Sequence, residues 1–188
     1  MNPESILPGF AAAAVRAATT LAFAAAGELL VERAGVINIG IEGMMVVGAY
    51  TGYVAAHGAG QGAGLLAGAA GGAAMGLVFA ALVVGLRVQQ VIAGTALSML
   101  GLALTASLHR AHAALVPTDS LPPVAITRVP LLADVPVLGP AFFAQPMATY
   151  LLYVVFPVIS WMLYRSIAGV RSEEHTSELQ SRLHLVCR

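Results

Sequence analysis

The chain has no lysine: all of its nine basic residues are arginine, and nine acidic residues bring the formal net charge to zero. Charged residues make up only 10% of the sequence, against about 25% in a soluble domain. That is too few to solvate the surface of a 188-residue globule. A soluble enzyme is therefore not expected, and with zero net charge no basic surface argues for nucleic acid. Cys187 is the single cysteine, so there is no internal disulfide framework and no thiolate metal site. His57, His109, His112, His175 and His184 lack paired spacings with acidic neighbours, and they read as loop and interface residues rather than as metal ligands.

What the chain has instead is apolar mass, with 59% hydrophobic residues, 20 glycines and a mean hydropathy of +0.85. Such a chain cannot stay solvated as a coil, so its solvent is lipid. Crossing a hydrocarbon core of about 30 Å takes roughly 20 apolar residues. Gly9–Leu30, Val36–Ala56, Ala63–Leu86, Val91–Leu108 and Met147–Tyr164 meet that criterion. The expected fold is an all-α, polytopic integral membrane helical bundle of about five membrane segments, one of them broken or re-entrant. Met1–Ser5 carries only Glu4 and no cation, so the first span reads as uncleaved rather than as a signal peptide. Between Ala111 and Pro146 prolines are too dense for a long helix, which predicts a structured connection outside the hydrocarbon. Arg33, Arg87 and Arg165 all fall on one side if the amino terminus is outside and the spans alternate.

Three groups of residues stand out within the spans. Asn38, Gly40, Glu42 and Gly43 crowd the start of the second. Glycine weakens a helix by about 1 kcal/mol relative to alanine, and an ionisable group at membrane depth costs about 2.5–3.5 kcal/mol on insertion scales. The segment therefore reads as a helix break lined by protein or water, with Glu42 directed inward. Asn38 and Glu42, four residues apart, share a helix face. Either they line a solute path and hydrogen-bond its hydroxyls, or they clamp neighbouring backbone and hold the break. Gly64, Gly68, Gly72 and Gly76 make a bare stripe on the third span, suited to close helix packing but also produced by an Ala/Gly-rich composition. Thr95, Ser98 and Thr105 form a polar stripe on the fourth, lining a path or bonding helix carbonyls. No nucleophile, base and orienting group converge by spacing, so no catalytic residue is expected.

The stretch Gly27–Tyr50, GELLVERAGVINIGIEGMMVVGAY, resembles the membrane permease subunits of bacterial ABC importers for nucleosides and simple sugars. That branch belongs to a larger group that also serves ribose and branched-chain amino acids. Leu86–Leu100 (LRVQQVIAGTALSML), Val129–Gln145 (VPLLADVPVLGPAFFAQ) and Trp161–Arg165 (WMLYR) are similar in order and spacing. The resemblance covers about Gly9 to Arg171. It implies a multi-pass protein of the bacterial inner membrane, in contact with lipid, working by alternating access. The implied partners are a second permease subunit, cytoplasmic ATPase subunits and an extracytoplasmic substrate-binding protein, with no nucleic acid. It implies no cofactor in this chain, ATP being bound by the ATPase subunits. Nucleoside and sugar are not distinguished by it. Two other readings compete: a proton-coupled secondary transporter with Glu42 as carrier, which would show paired broken helices, and a non-transporting membrane scaffold.

Arg171–Ser181, RSEEHTSELQS, matches one reading frame of a common sequencing-adapter oligonucleotide. The expectation is a partial permease domain at residues 1–170 and a non-native tail at 171–188. The family's ATPase-coupling helix and further spans are then expected beyond Arg171, replaced here by adapter sequence, leaving a chain not competent to transport alone.

Overall fold

The computed structural model describes residues 3–112, 124–130, 132, 133, 135 and 138–165. The tail at 171–188 and most of the prolines between 117 and 136 lie outside those residues. Within them the long elements are helical: α1 (Pro3–Arg33), α2 (Ile41–Ala80), α3 (Gln90–His112) and α5 (Met147–Arg165), with a short α4 (Leu138–Phe142). A π-helical turn, Ala81–Gly85, continues α2. Two three-residue strands, β1 (Ile126–Arg128) and β2 (Ala144–Pro146), pair antiparallel with Thr127 opposite Gln145. The chain divides into two compact units.

The first unit holds α1, β1, α4, β2 and α5. α1 ends where Arg33 meets the negative end of the helix dipole, and Gly35, at φ +81°, takes the left-handed conformation that stops it. At that end the Arg33 guanidinium lies 5.2 Å over the Tyr164 ring and donates to its hydroxyl at 3.4 Å. Near the other end of α5 Gln145 is completely buried. Its Nε2 donates to the carbonyls of Ala141 at 2.6 Å, Ala12 at 3.2 Å and Pro140 at 3.4 Å. The Tyr150 hydroxyl receives the Gln145 N–H and donates to the Thr127 carbonyl, tying both strands to α5. Two buried hydroxyls, Thr19 and Thr149, meet at 3.2 Å between α1 and α5.

The second unit holds α2, the π turn and α3. The apolar stretch Ile41–Gly85 has 45 residues, and at 1.5 Å per residue it is about twice as long as one crossing requires. Gly60, at φ +85° and ψ 173°, breaks it in a conformation open essentially to glycine alone. The two limbs then fold against each other, and the glycines show how. A β-carbon on Gly48 or on Gly68 would lie 3.0 Å from the other's carbonyl oxygen, and one on Gly52 would lie 3.0 Å from that of Gly64. Among the described residues, the hairpin divides one of four long apolar helical stretches into two limbs, each of about one crossing's length.

The first limb packs equally closely on its other side. A β-carbon on Gly43 would sit 2.7 Å from the Leu97 carbonyl oxygen and the Ser98 α-carbon, and one on Gly101 would sit 2.8 Å from the Gly43 oxygen. Around this contact Met75, Phe79, Ala93 and Leu97 form the buried apolar cluster, joined by Val36, Met44, Val47, Leu82 and Val83.

Replacing Gly68 by Leu should therefore destabilise the unit, since overpacking costs about 1–3 kcal/mol. Gly76→Ala should be neutral or stabilising, because nothing lies within 4 Å of its β-position and alanine is the better helix former by about 1 kcal/mol. Thermal unfolding of the two variants in detergent checks the contrast; equal midpoints would mean that the stripe carries no packing.

Candidate functional site

Asn38, Gly40, Glu42 and Gly43 stand where α2 begins, with 36–40 non-helical and the helix starting at Ile41. Asn38 is buried, at 8% exposure. Its Oδ1 accepts the Gly40 N–H at 3.0 Å, the local turn that asparagine makes with backbone two residues on. Its Nδ2 donates to the Met44 sulfur at 3.5 Å. The segment is also stitched to α3: the Ile37 N–H donates to Gln90 Oε1 at 3.0 Å, and the Ser98 hydroxyl donates to the Ile39 carbonyl at 3.3 Å. Gly40 and Gly94 meet backbone to backbone, a β-carbon on Gly94 standing 2.9 Å from the Gly40 nitrogen. These contacts hold the chain as it turns into α2.

Glu42 does not join them. It was expected to point inward from membrane depth; instead it is exposed, in the first turn of α2. The physical reason is its position. The limb from 41 to 59 is about 28 Å long at 1.5 Å per residue, so its first turn lies at the end of a crossing rather than the middle, and an acid there is favoured by the positive end of the helix dipole. Glu42 makes no hydrogen bond among the described residues, so the clamp runs through Asn38 without it.

The hydroxyls on α3 occupy three different environments. Thr95 bonds back to the carbonyls of Val91 at 3.0 Å and Ile92 at 3.1 Å. Ser98 reaches across to Ile39. The Thr105 oxygen is buried without a hydrogen-bond partner among the described residues. Of the glycine stripe, Gly64 and Gly68 touch the first limb, a β-carbon on Gly72 would lie 3.7 Å from the Met44 oxygen, and Gly76 meets nothing.

Several groups were not singled out by sequence reading. Gly94 and Gly101, seven residues apart on one face of α3, oppose Gly40 and Gly43; that spacing was the available signal. The Tyr50 hydroxyl hydrogen-bonds His112 Nδ1, with the ring planes 6° apart and the centroids at 6.2 Å, so the two rings lie edge to edge in nearly one plane. Tyr53 makes edge contacts with His57 at 4.6 Å and His109 at 6.5 Å. His109 and His112 of α3 thus meet tyrosines of α2, His57 meets Tyr53 within α2, and no group of three His, Cys, Asp or Glu suited to a metal gathers among the described residues. Gln145 carried no signal, because its role depends on carbonyls distant in sequence.

The elements define a multi-pass membrane bundle whose α2 and α3 approach through glycine and whose buried Asn38 segment is stitched to α3. The chain belongs to the family described as branched-chain amino acid transport system / permease component, which it matches over residues 10–173. It is 35% identical over 163 residues to a guanosine ABC transporter permease protein of Bacillus subtilis, covering 82% of this chain and 51% of that protein. It is 39% identical over 171 residues to a putative glucose ABC transporter permease protein of Haloferax volcanii, covering 88% and 51%, and 28% identical over 161 residues to a nucleoside ABC transporter permease protein of Lactococcus lactis, covering 81% and 51%. The chain therefore spans about half the length of the curated relatives it matches. No solved structure matches it. It is a multi-pass chain of the inner (plasma) membrane, and its family is one of transporter permease components.

Asn38→Ala should lower stability by about 1 kcal/mol, the typical effect of removing a side-chain cap or net hydrogen bond. Glu42→Gln should stay within about 0.5 kcal/mol, as surface changes do. Unfolding midpoints in the same detergent test this, and a larger loss for Glu42→Gln would return the clamp to the carboxylate.

Proposed function

We propose that this chain acts as a transmembrane permease subunit of an ABC importer that moves nucleosides or simple sugars inward by alternating access. The observation that carries the reading is the family match over residues 10–173, together with relatives whose printed cargoes are guanosine, glucose and nucleosides. The shared chemistry of those cargoes is a neutral, hydroxyl-rich ring. The proposed partners are a second permease subunit, cytoplasmic ATPase subunits and an extracytoplasmic substrate-binding protein. ATP binding elsewhere biases a permease only through a contact that differs between its inward and outward states. Within this reading the Asn38–Gly43 motif is the fixed framework of the path, with the exposed Glu42 and Thr95 the polar groups available beside it. Residues 1–170 are assigned to the permease domain and 171–188 to a non-native tail.

The test is uptake of labelled guanosine and glucose in cells lacking their own systems for both. A version of the gene completed to the length of its relatives should take up one of the two only with its ATPase and partner permease, whereas the 188-residue chain should take up neither. Uptake driven by a proton gradient without any ATPase would replace this reading with a secondary transporter. Deleting residues 171–188 should leave the unfolding midpoint unchanged; a marked drop would show that the tail belongs to the fold.

A further inference from the structure

The connection between α2 and α3 contains the one residue other than glycine with positive φ among the described residues, Arg87 at φ +56°. The Leu86 N–H closes on Ala81 O at 2.9 Å, and the Val88 N–H on Leu82 O at 3.0 Å. This is the left-handed helix stop usually made with glycine, widened by one residue because the turn beneath it is π-helical. A side chain with a β-carbon is disfavoured there, so glycine would make the better stop in a chain that already uses glycine with positive φ at the end of α1, at Gly35. The arginine is not compensated within the fold. It is exposed, and it makes no hydrogen bond or ion pair among the described residues. Backbone strain at an exposed, unpaired cation points to a contact outside the chain.

Two features identify its chemistry. The turn holding Arg87 is only four residues long, 86–89, and it ends a limb of about 25 residues, roughly 37 Å at 1.5 Å per residue, enough for one crossing. A turn this short, at the end of a limb of one crossing's length, falls where a crossing ends. The neighbours of Arg87, Val84 and Leu86, are 70% and 72% exposed, and Val88 is 36% exposed, so apolar surface flanks the charge, as suits a site where acyl chains end and headgroups begin. A planar five-donor fork at that level matches a phosphate diester in two-point fashion.

We propose that Arg87 is held in its strained conformation to bind the phosphate of an anionic phospholipid headgroup, docking the α2–α3 turn at the membrane surface. The proposal does not depend on what the permease carries. The experiment places the full chain in nanodiscs of phosphatidylcholine alone or of phosphatidylcholine with phosphatidylglycerol, and compares the wild type with R87K, R87Q and R87G by thermal unfolding. The wild type should gain stability from phosphatidylglycerol, and the gain should shrink with salt. R87K should keep part of it, and R87Q and R87G should lose that increment. In neutral lipid R87G should unfold about 2–4 °C above the wild type, because the backbone strain is relieved. Retention of the whole phosphatidylglycerol increment by R87Q and R87G, or no increment in the wild type, would overturn the proposal. A lipid increment unchanged in R87Q while a co-expressed ATPase subunit no longer copurifies would overturn it in favour of a protein partner.

Discussion

Helices in lipid gain little from hiding apolar side chains against one another, because acyl chains are as apolar as leucine; close van der Waals approach has to supply the association. In the second unit that constraint is met by one helical limb with bare backbone on two faces. Gly43 lets α3 in on one side, against Leu97, Ser98 and Gly101, and Gly48 and Gly52 admit the second limb on the other, against Gly68 and Gly64. The hairpin at Gly60, the buried cluster of Met75, Phe79, Ala93 and Leu97, and the path of 36–40 across the start of α3 all follow from where those contacts fall. Side chains then fill what the backbones leave, as Thr51 does in donating to the Ala67 carbonyl at 3.1 Å.

The first unit solves the same problem with polar groups. Its described segments include a short helix and a two-stranded ribbon, whose backbone groups cannot all be satisfied internally. One buried side-chain amide, Gln145, reaches carbonyls on α1 and α4, and the Tyr150 hydroxyl serves both strands. An unmade hydrogen bond in such a place costs about 1–3 kcal/mol, more than a typical helix contact, so a few residues hold an irregular region that no apolar pattern could specify.

This difference explains what could be read from the sequence. Runs such as Ala63–Leu86 have a length and hydropathy set by the bilayer, so the spans and the all-helical class were legible. The stripe at Gly64, Gly68 and Gly72 was legible as a bare face, but its partner was not, because pairing Gly48 with Gly68 requires knowing that the chain reverses at Gly60. Gly76 shows the limit of periodicity: it continues the stripe after the contact has ended. Glu42 was misplaced because an apolar run does not mark where its helix begins, and a shift of a few residues moves a carboxylate from mid-membrane to the surface. The contacts of Gln145 and the backbone conformation of Arg87 were invisible for another reason, since a contact distant in sequence and a backbone angle leave no imprint on composition.

A limb gripped on two faces by backbone has no gradual sliding motion. Moving it by one residue, about 1.5 Å along the axis, takes each glycine away from the atoms it admits and brings a β-carbon toward them. Gly43 is followed by Met44 and Gly48 by Ala49, so any such slip meets a clash before it meets a new fit. The hydrogen bonds from Ser98 to Ile39 and from Gln90 to Ile37 oppose the same displacement at the start of the limb. Interfaces packed this tightly switch between discrete arrangements rather than deform. The Asn38 clasp, by fixing how the chain turns into α2, belongs to the same framework of close contacts.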